Sequence, residues 1–435
     1  MIGREKDFQG KPAGIPCRFF KIAAYGYAYP MKKILILGGG FAGVTAATEL
    51  AKKNLPDTQI TLLGNKSWLE YHTIFYRLLG GKRPAEACIP LGIILPKNVR
   101  ILTDKVTGID PKDKVVAGAG GKAYDYDILI VALGAQPAYF GIPGMQERSM
   151  TMKSAAEALE IRERIDGRVR AMMEGDEAHK RKMGHFAVVG AGPTGIEIAS
   201  VGLTHARKVA RKIGADPSLI TFDLIEAADR LLPVLHPNIS QAVTNKLKSM
   251  GVNVLTQKAV TSVDDAGLHF KDGEKKDPGT ILWTAGVKPN DLLAQIPGIE
   301  LDKRGRAVVD DQLHAKNLTD VFIIGDCAST QYSGMAQTAL EHGAFVAQVI
   351  ETGKASPPVY RPTEPAYAIP VGISWGAVQI KKLRIYGLLG MALRRGADLH
   401  AYMLLLPLWR VPLVFLGLTN LDAHAVPNPP KSPHL

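Results

Sequence analysis

Glycines at Gly38, Gly40 and Gly43 stand where an apolar run gives way to small and apolar residues, and Gly190, Gly192 and Gly195 repeat the spacing. In a strand-to-helix turn such a triplet allows a tight bend, a bare stretch of backbone, and close contact of helix with sheet. The helix start then turns unpaired N–H groups toward phosphate oxygens. One triplet of this kind also arises for packing alone. Two, each after an apolar strand and each opening a helix, point to two dinucleotide sites in one chain. Two dinucleotides imply electron transfer between them. A flavin and a nicotinamide are the sensible pair, because NADH delivers a hydride and FAD stores two electrons.

The end of the strand after each turn separates the two sites. In LIEAADR (224–230) Glu226 can accept both ribose hydroxyls of an adenosine. No arginine follows immediately to hold a 2′-phosphate, which favours NADH over NADPH, with Arg230 as the nearest exception. The interval from Gly190 to Glu226 exceeds the usual ~20 residues, as a long basic helix through THARKVARK (204–212) would require. At the first site LLGNK (62–66) holds no carboxylate, leaving Asn65, Lys66 or water for the ribose. Pro193 and Thr194 fill the second turn, and Phe41 and Ala42 the first.

The elements that must position these turns alternate in type. KILILGG (33–39), QITLLGN (59–65), VRILTDKVTGID (99–110) and YDYDILIVALGAQP (124–137) read as buried strands. A connecting helix follows over 154–175, then a second series with ITFDLIE (220–226), GVNVLTQ (251–257) and TILWTAGVKP (280–289). VFIIGDCAST (321–330) closes a further strand, as though the first unit resumed after an insertion. The expected fold class is α/β: two Rossmann-like dinucleotide-binding domains, the FAD domain interrupted by the NADH domain, plus C-terminal amphipathic membrane-docking helices. The expected boundaries are a flexible extension over 1–30, FAD domain 31–150 and 296–375, NADH domain 151–295, and docking region 376–435.

The 435 residues leave room for two or three domains, and 46% hydrophobic content can fill their cores. Lys plus Arg outnumber Asp plus Glu by 53 to 41, a net charge of +12 that suits an anionic partner. Cys17, Cys88 and Cys327 share no C-x-x-C spacing, against a disulfide framework, a thiolate zinc site or a dithiol redox pair; no metal is expected. Residues 1–30 lack the continuous apolar run of a secretory signal.

Together GGGFAG (38–43), YDYDILIVALGA (124–135), VVGAGPTGIEIA (188–199), LIEAADRLLP (224–233), ILWTAGVKP (281–289), VFIIGDCA (321–328) and AQTALEHG (336–343) resemble the two-dinucleotide-binding-domain flavoproteins. Over about residues 31–420 the chain is most similar to the type II NADH dehydrogenases, the single-subunit NADH:quinone oxidoreductases. The resemblance implies that Asp326, beside Gly325, binds the ribityl and pyrophosphate part of non-covalent FAD, with Ala132, Gly134 and Ala336 along the same cofactor. It places Gly286 by NADH and Glu197 near nicotinamide and flavin. It also implies a membrane quinone acceptor, no proton pumping, and a homodimer. The family's quinone motif Ala-Gln-x-Ala-x-Gln is met by Ala336, Gln337 and Ala339 but ends here in Glu341. An ionised carboxylate there accepts hydrogen bonds only. Arg77 stands where the family shows a proline, and Leu133 where threonine is common.

LHAYMLLLPLWRVPLVFLGL (399–418) approaches the length of a membrane span, but Pro407, Arg410 and Pro412 interrupt it. An interfacial pair of helices is the easier reading. Leu404, Leu405, Leu408, Trp409 and Leu413 would enter the acyl boundary, while Lys381, Lys382, Arg384, Arg394, Arg395 and Arg410 meet an anionic lipid surface. The expected location is peripheral, on the cytoplasmic side of the cell membrane, with no nucleic acid partner. Deleting residues 380–435 is expected to release the enzyme while sparing flavin reduction. Rival readings are a sulfide:quinone oxidoreductase, for which Cys88 and Cys327 are the candidate thiols, and a flavoprotein sensor that binds NADH without turnover.

Overall fold

The computed structural model describes residues 31–353 and 358–416; the expected N-terminal extension lies outside them. Its first sheet is five-stranded and parallel, in the order Val321–Ile323, Ile128–Val131, Lys32–Leu37, Thr58–Gly64, Val99–Thr103. Its edge strand at 321–323 comes from far downstream, after a second parallel sheet has been completed. That sheet runs Ser149–Met150, Thr280–Trp283, His185–Val189, Thr221–Ile225, Val252–Leu255. The central strands are apolar along most of their length because both faces are covered, one by helices and the other by a small antiparallel sheet, which brings Ile109 and Val116 onto the first sheet and Val263, Leu268 and Phe270 onto the second.

The chain passes between the sheets twice, and the crossing segments Ala135–Pro137 and Val287–Pro289 pair antiparallel, which ties the two sheets together at the crossover. Gly134, at φ +70°, makes the bend that separates the first of these from Ile128–Val131. The run 99–110, which reads as one strand, is two. Asp104 breaks it by accepting from the Lys105 amide at 2.8 Å and the Tyr124 hydroxyl at 2.8 Å, and sends Val106–Asp110 into a separate antiparallel sheet.

Helix Phe41–Lys52 covers the first sheet, and helix Ala336–Thr352 lies against it. The approach is close because Gly343 has no side chain; a Cβ there would stand 2.5 Å from the Ala42 carbonyl oxygen. Beyond these, Tyr367–Val371, Trp375–Ile380 and Leu383–Tyr386 form an antiparallel sheet that leads into helix Gly387–Leu405 and the short helix Val411–Phe415. Among the described residues no helix is long and apolar enough to cross a membrane.

Candidate active site

Both glycine turns divide their work the same way. A Cβ on Gly38 would meet the Ala132 oxygen at 2.2 Å, and one on Gly43 the Gly38 oxygen at 2.0 Å. Gly190 and Gly195 are blocked likewise, by Ala285 Cα at 2.5 Å and the Gly190 oxygen at 1.9 Å. Gly38 and Gly190 also hold φ of +111° and +106°, where only glycine is unstrained. Around the middle glycines, Gly40 and Gly192, a Cβ would find nothing within 4 Å. Each is the N-cap of its helix, with no side-chain cap and no acidic residue in the first turn, so the first-turn N–H groups face open space. A pyrophosphate fits both cradles.

The ribose ends differ. Glu226 lies back over the second turn: its Oε2 accepts from the Ala191 amide and its Oε1 from that of Ala228, both at 2.9 Å. Arg230 is turned away from any 2′-phosphate. Its guanidinium donates to the Leu235 oxygen at 2.9 Å and the Pro233 oxygen at 2.6 Å. At the first turn the Lys66 ammonium is 2.7 Å from Glu70, while Asn65 is exposed at the strand end.

Gly325–Cys327 forms a tight turn that brings Gly325 (φ +67°) against the first helix, where a Cβ would meet that of Ala42 at 3.1 Å. One residue the motifs did not flag holds this turn. His342, fully buried on helix Ala336–Thr352, accepts the Gly325 amide on Nδ1 at 3.0 Å and has Thr330 Oγ1 3.2 Å from Nε2. Burial pushes its pKa down to about 4, so the ring stays neutral and able to accept. The only signal in the sequence is its place beside Glu341, in AQTALEHG. On the same helix Gln337 donates to Glu341 Oε1 at 3.1 Å and accepts from the Ala366 amide at 3.3 Å.

Beside the second turn lies a cavity of about 110 Å³, lined by His72 from the first domain, Thr194 and Glu197 from helix Pro193–Ile213, and Trp283, Thr284 and Gly286 at and just past the end of strand Thr280–Trp283. Glu197 is the fifth residue of helix Pro193–Ile213, past the first turn, which weakens a helix-dipole role. Burial raises its pKa to about 8; nearby Arg394 and Arg77 oppose that shift and Asp398 adds to it. A larger hollow of about 410 Å³ sits at the outer edge of the second sheet, beside Asp223, Lys248 and Lys276. No residue of either turn lines it, and His185, Asn253 and Lys276 already hold the Asp223 carboxylate.

The cysteines are poor reagents. Burial pushes the thiols of Cys88 and Cys327 up to about 12.

Helix Gly387–Leu405 is turned inside out. Its buried stripe contains Met391, Arg394, Asp398 and Tyr402, whereas Leu388, Leu389, Leu393, Met403 and Leu404 face outward. Arg394 is therefore no headgroup ligand: at 6% exposure it pairs with Asp398 and donates to the Thr73 oxygen at 2.6 Å. Leu405 is likewise buried rather than outward, while Leu408, Trp409 and Leu413 are exposed, with the Arg410 guanidinium over the Trp409 ring. Arg77, which replaces a proline of the resembled family, is the second partner of Asp398, at 2.6 Å.

Residues 32–343 match the family described as pyridine nucleotide-disulphide oxidoreductase. The type II NADH:quinone oxidoreductase NdhA of Mycobacterium tuberculosis is 32% identical over 340 residues, which span 73% of this chain and 71% of that one. The Staphylococcus aureus type II NADH:quinone oxidoreductase is 30% identical over 340 residues, 74% of this chain and 83% of that one. The chain belongs to the pyridine nucleotide-disulphide oxidoreductases, in their type II NADH:quinone oxidoreductase branch. In fold it is similar to NDH2 from Plasmodium falciparum in complex with NADH (TM-score 0.79, 18% identity, 89% of this chain and 97% of that one). It is also similar to the sulfide:quinone oxidoreductase of Aquifex aeolicus (TM-score 0.70, 16% identity, 88% and 92%).

Proposed function

We propose that the chain is an FAD-dependent, non-proton-pumping NADH:quinone oxidoreductase. The observation that carries this is the pair of open glycine cradles, the second backed by Glu226 with Arg230 turned away, and the cavity beside it that His72 lines from the first domain. Bound FAD supplies a two-electron carrier between hydride donor and quinone.

In this reading Gly38, Gly40, Phe41, Ala42 and Gly43 receive the FAD pyrophosphate, with Asn65 at the ribose and Ala132, Gly134, Gly325, Asp326 and Ala336 along the rest. Lys66 acts through Glu70 rather than on the ribose. Gly190, Gly192, Pro193, Thr194, Gly195 and Gly286 line the NADH path, and Glu226 selects the unphosphorylated ribose. His72, Thr194 and Glu197 exclude water from the cleft and fix ring approach. Gln337, anchored to Ala366, orients the Glu341 carboxylate, which accepts a hydrogen bond from the hydroxyl of the quinol product. We also propose the domain boundaries at 150, 295 and 375; the crossings at 135–137 and 287–289 support two units, with Ser149–Met150 already in the second sheet.

The outward leucines of Gly387–Leu405 and the exposed Leu408, Trp409 and Leu413 support docking on an anionic lipid surface, with Lys381, Lys382 and Arg395 alongside; we also propose the cytoplasmic face as its location. On resemblance alone we also propose a homodimer, which sedimentation equilibrium in detergent checks. Co-sedimentation with phosphatidylglycerol vesicles tests docking. Leu404→Ser with Trp409→Ser should leave most protein in the supernatant with FAD retained; undiminished binding would reject this face. Steady-state turnover with a short-chain quinone should run on NADH, and equal efficiency with NADPH would reject the ribose assignment.

A further inference from the structure

The C-terminal helix carries charge inward as well as leucine outward. Asp398 is 1% exposed, yet its carboxylate meets two guanidinium groups, Arg77 on one oxygen at 2.6 Å and Arg394 on the other. Arg394 is fixed further by the Thr73 carbonyl, and Arg77 Nε by the Tyr76 hydroxyl at 3.4 Å. Two guanidinium charges on one carboxylate leave a buried surplus of one positive charge. The carboxyl group nearby that could balance it is Glu197, which makes no side-chain hydrogen bond among the described residues and opens onto the cavity. His72 and Lys153 are the other charged or titratable groups lining that cavity. Burial favours the protonated Glu197; the arginines favour the carboxylate, and Asp398 reduces their pull.

We propose that Asp398 is a positioning residue that holds Arg77 and Arg394 in place and offsets their charge, and so sets whether Glu197 carries a proton when NADH occupies the cleft. The inference rests on the reading above, in which nicotinamide enters this cavity. A hydride leaves nicotinamide with its electron pair, and the ring left behind is cationic. An ionised Glu197 stabilises that ring and a protonated one does not, so the proton on Glu197 controls the forward rate. The helix that faces lipid on one side thereby governs charge at the hydride-transfer cleft on the other.

The test is the pH profile of anaerobic flavin reduction by NADH in the FAD-loaded protein. The wild type should show a rate that rises through a transition on the alkaline side of neutrality. Asp398→Asn should move that transition to lower pH by about one unit or more, and Arg394→Gln to higher pH by a similar amount. Opposite signs are the signature, since a loss of packing alone would not move the two in opposite directions. Shifts of the same sign, or profiles that superimpose on the wild type with FAD content retained, overturn the proposal. Should Asp398→Asn hold no FAD, Arg394→Gln decides by an upward shift or none. Glu197→Gln separates the two layers: if it keeps the transition, the cavity assignment itself fails; if it removes the transition while the other variants do not move it, only the role of Asp398 fails.

Discussion

At Gly38–Gly43 and at Gly190–Gly195 the backbone performs the same manoeuvre, closing the first and third glycines against carbonyl or Cα atoms and leaving the middle one open. The strands that follow end differently. Glu226 leans back onto the second turn through two amide hydrogen bonds, whereas the first strand ends in an exposed Asn65 and a lysine held by Glu70. The first turn is also pressed from behind by the Gly325 turn and, through His342, by helix Ala336–Thr352. The second turn is held instead by its immediate neighbours: Thr284 Oγ1 donates to the Gly190 oxygen at 2.8 Å and the Leu232 amide to the Ala191 oxygen at 3.2 Å. This is the division expected between a cofactor that stays and a substrate that must leave after each turnover: one site is enclosed by distant segments of chain, the other reads its ligand mainly through a single carboxylate.

The sharpest way to break this comparison is to fill the two open glycines in turn. Gly40→Leu meets no protein atom at its Cβ, so the chain should fold, but the side chain occupies the pyrophosphate path. Bound flavin, read by absorbance after gel filtration, should fall to less than roughly a tenth of the wild-type level. Gly192→Leu should keep its flavin and raise the KM for NADH by on the order of a hundredfold. Equal flavin content in both variants would erase the distinction between the turns.

Glu226→Ala comes next. Losing a charged acceptor at the ribose should raise the KM for NADH roughly tenfold while leaving the KM for quinone unchanged. A change in both would mean that Glu226 supports the fold rather than the ligand.

The smallest effect concerns the brace. His342 accepts as a neutral ring, with its pKa pushed down to about 4 from 6.5. Between those values the unfolded chain binds more protons than the native one, so its contribution to stability is present above about pH 6.5 and declines as pH falls toward 4. His342→Gln should flatten acid-induced FAD release over that window and weaken FAD binding a few-fold at neutral pH, followed by flavin fluorescence. An unchanged acid profile would remove His342 from the account.

Much of this architecture is legible in the sequence because its signals are local. A glycine triplet between an apolar strand and a helix specifies its own turn, and both turns and the resumed strand at 321–323 follow from it. Side chains whose direction depends on distant packing are not legible in that way. Arg394 reads as one more basic residue in a cationic flank, yet the helix turns it inward onto Asp398 and Thr73. Arg77 reads as a departure from a family pattern, and its reason lies in the same carboxylate. His342 reads as a lone histidine, because its partners, Gly325 and Thr330, belong to another segment.

The same packing corrects the expected outcome of truncation. Tyr402 stacks on Tyr71 with ring centroids 4.7 Å apart, and Asp398 holds Arg77, so removing residues 380–435 would open the cleft as well as remove the proposed docking face. Substitutions on the outward leucines separate the two effects; deletion does not.

The most direct test of the two-cradle account is to mix the FAD-loaded protein with NADH in the absence of oxygen and follow flavin absorbance, then add a quinone. The account predicts stoichiometric bleaching by NADH and full recovery of the oxidised spectrum with quinone. A flavin that stays oxidised under saturating NADH would contradict it.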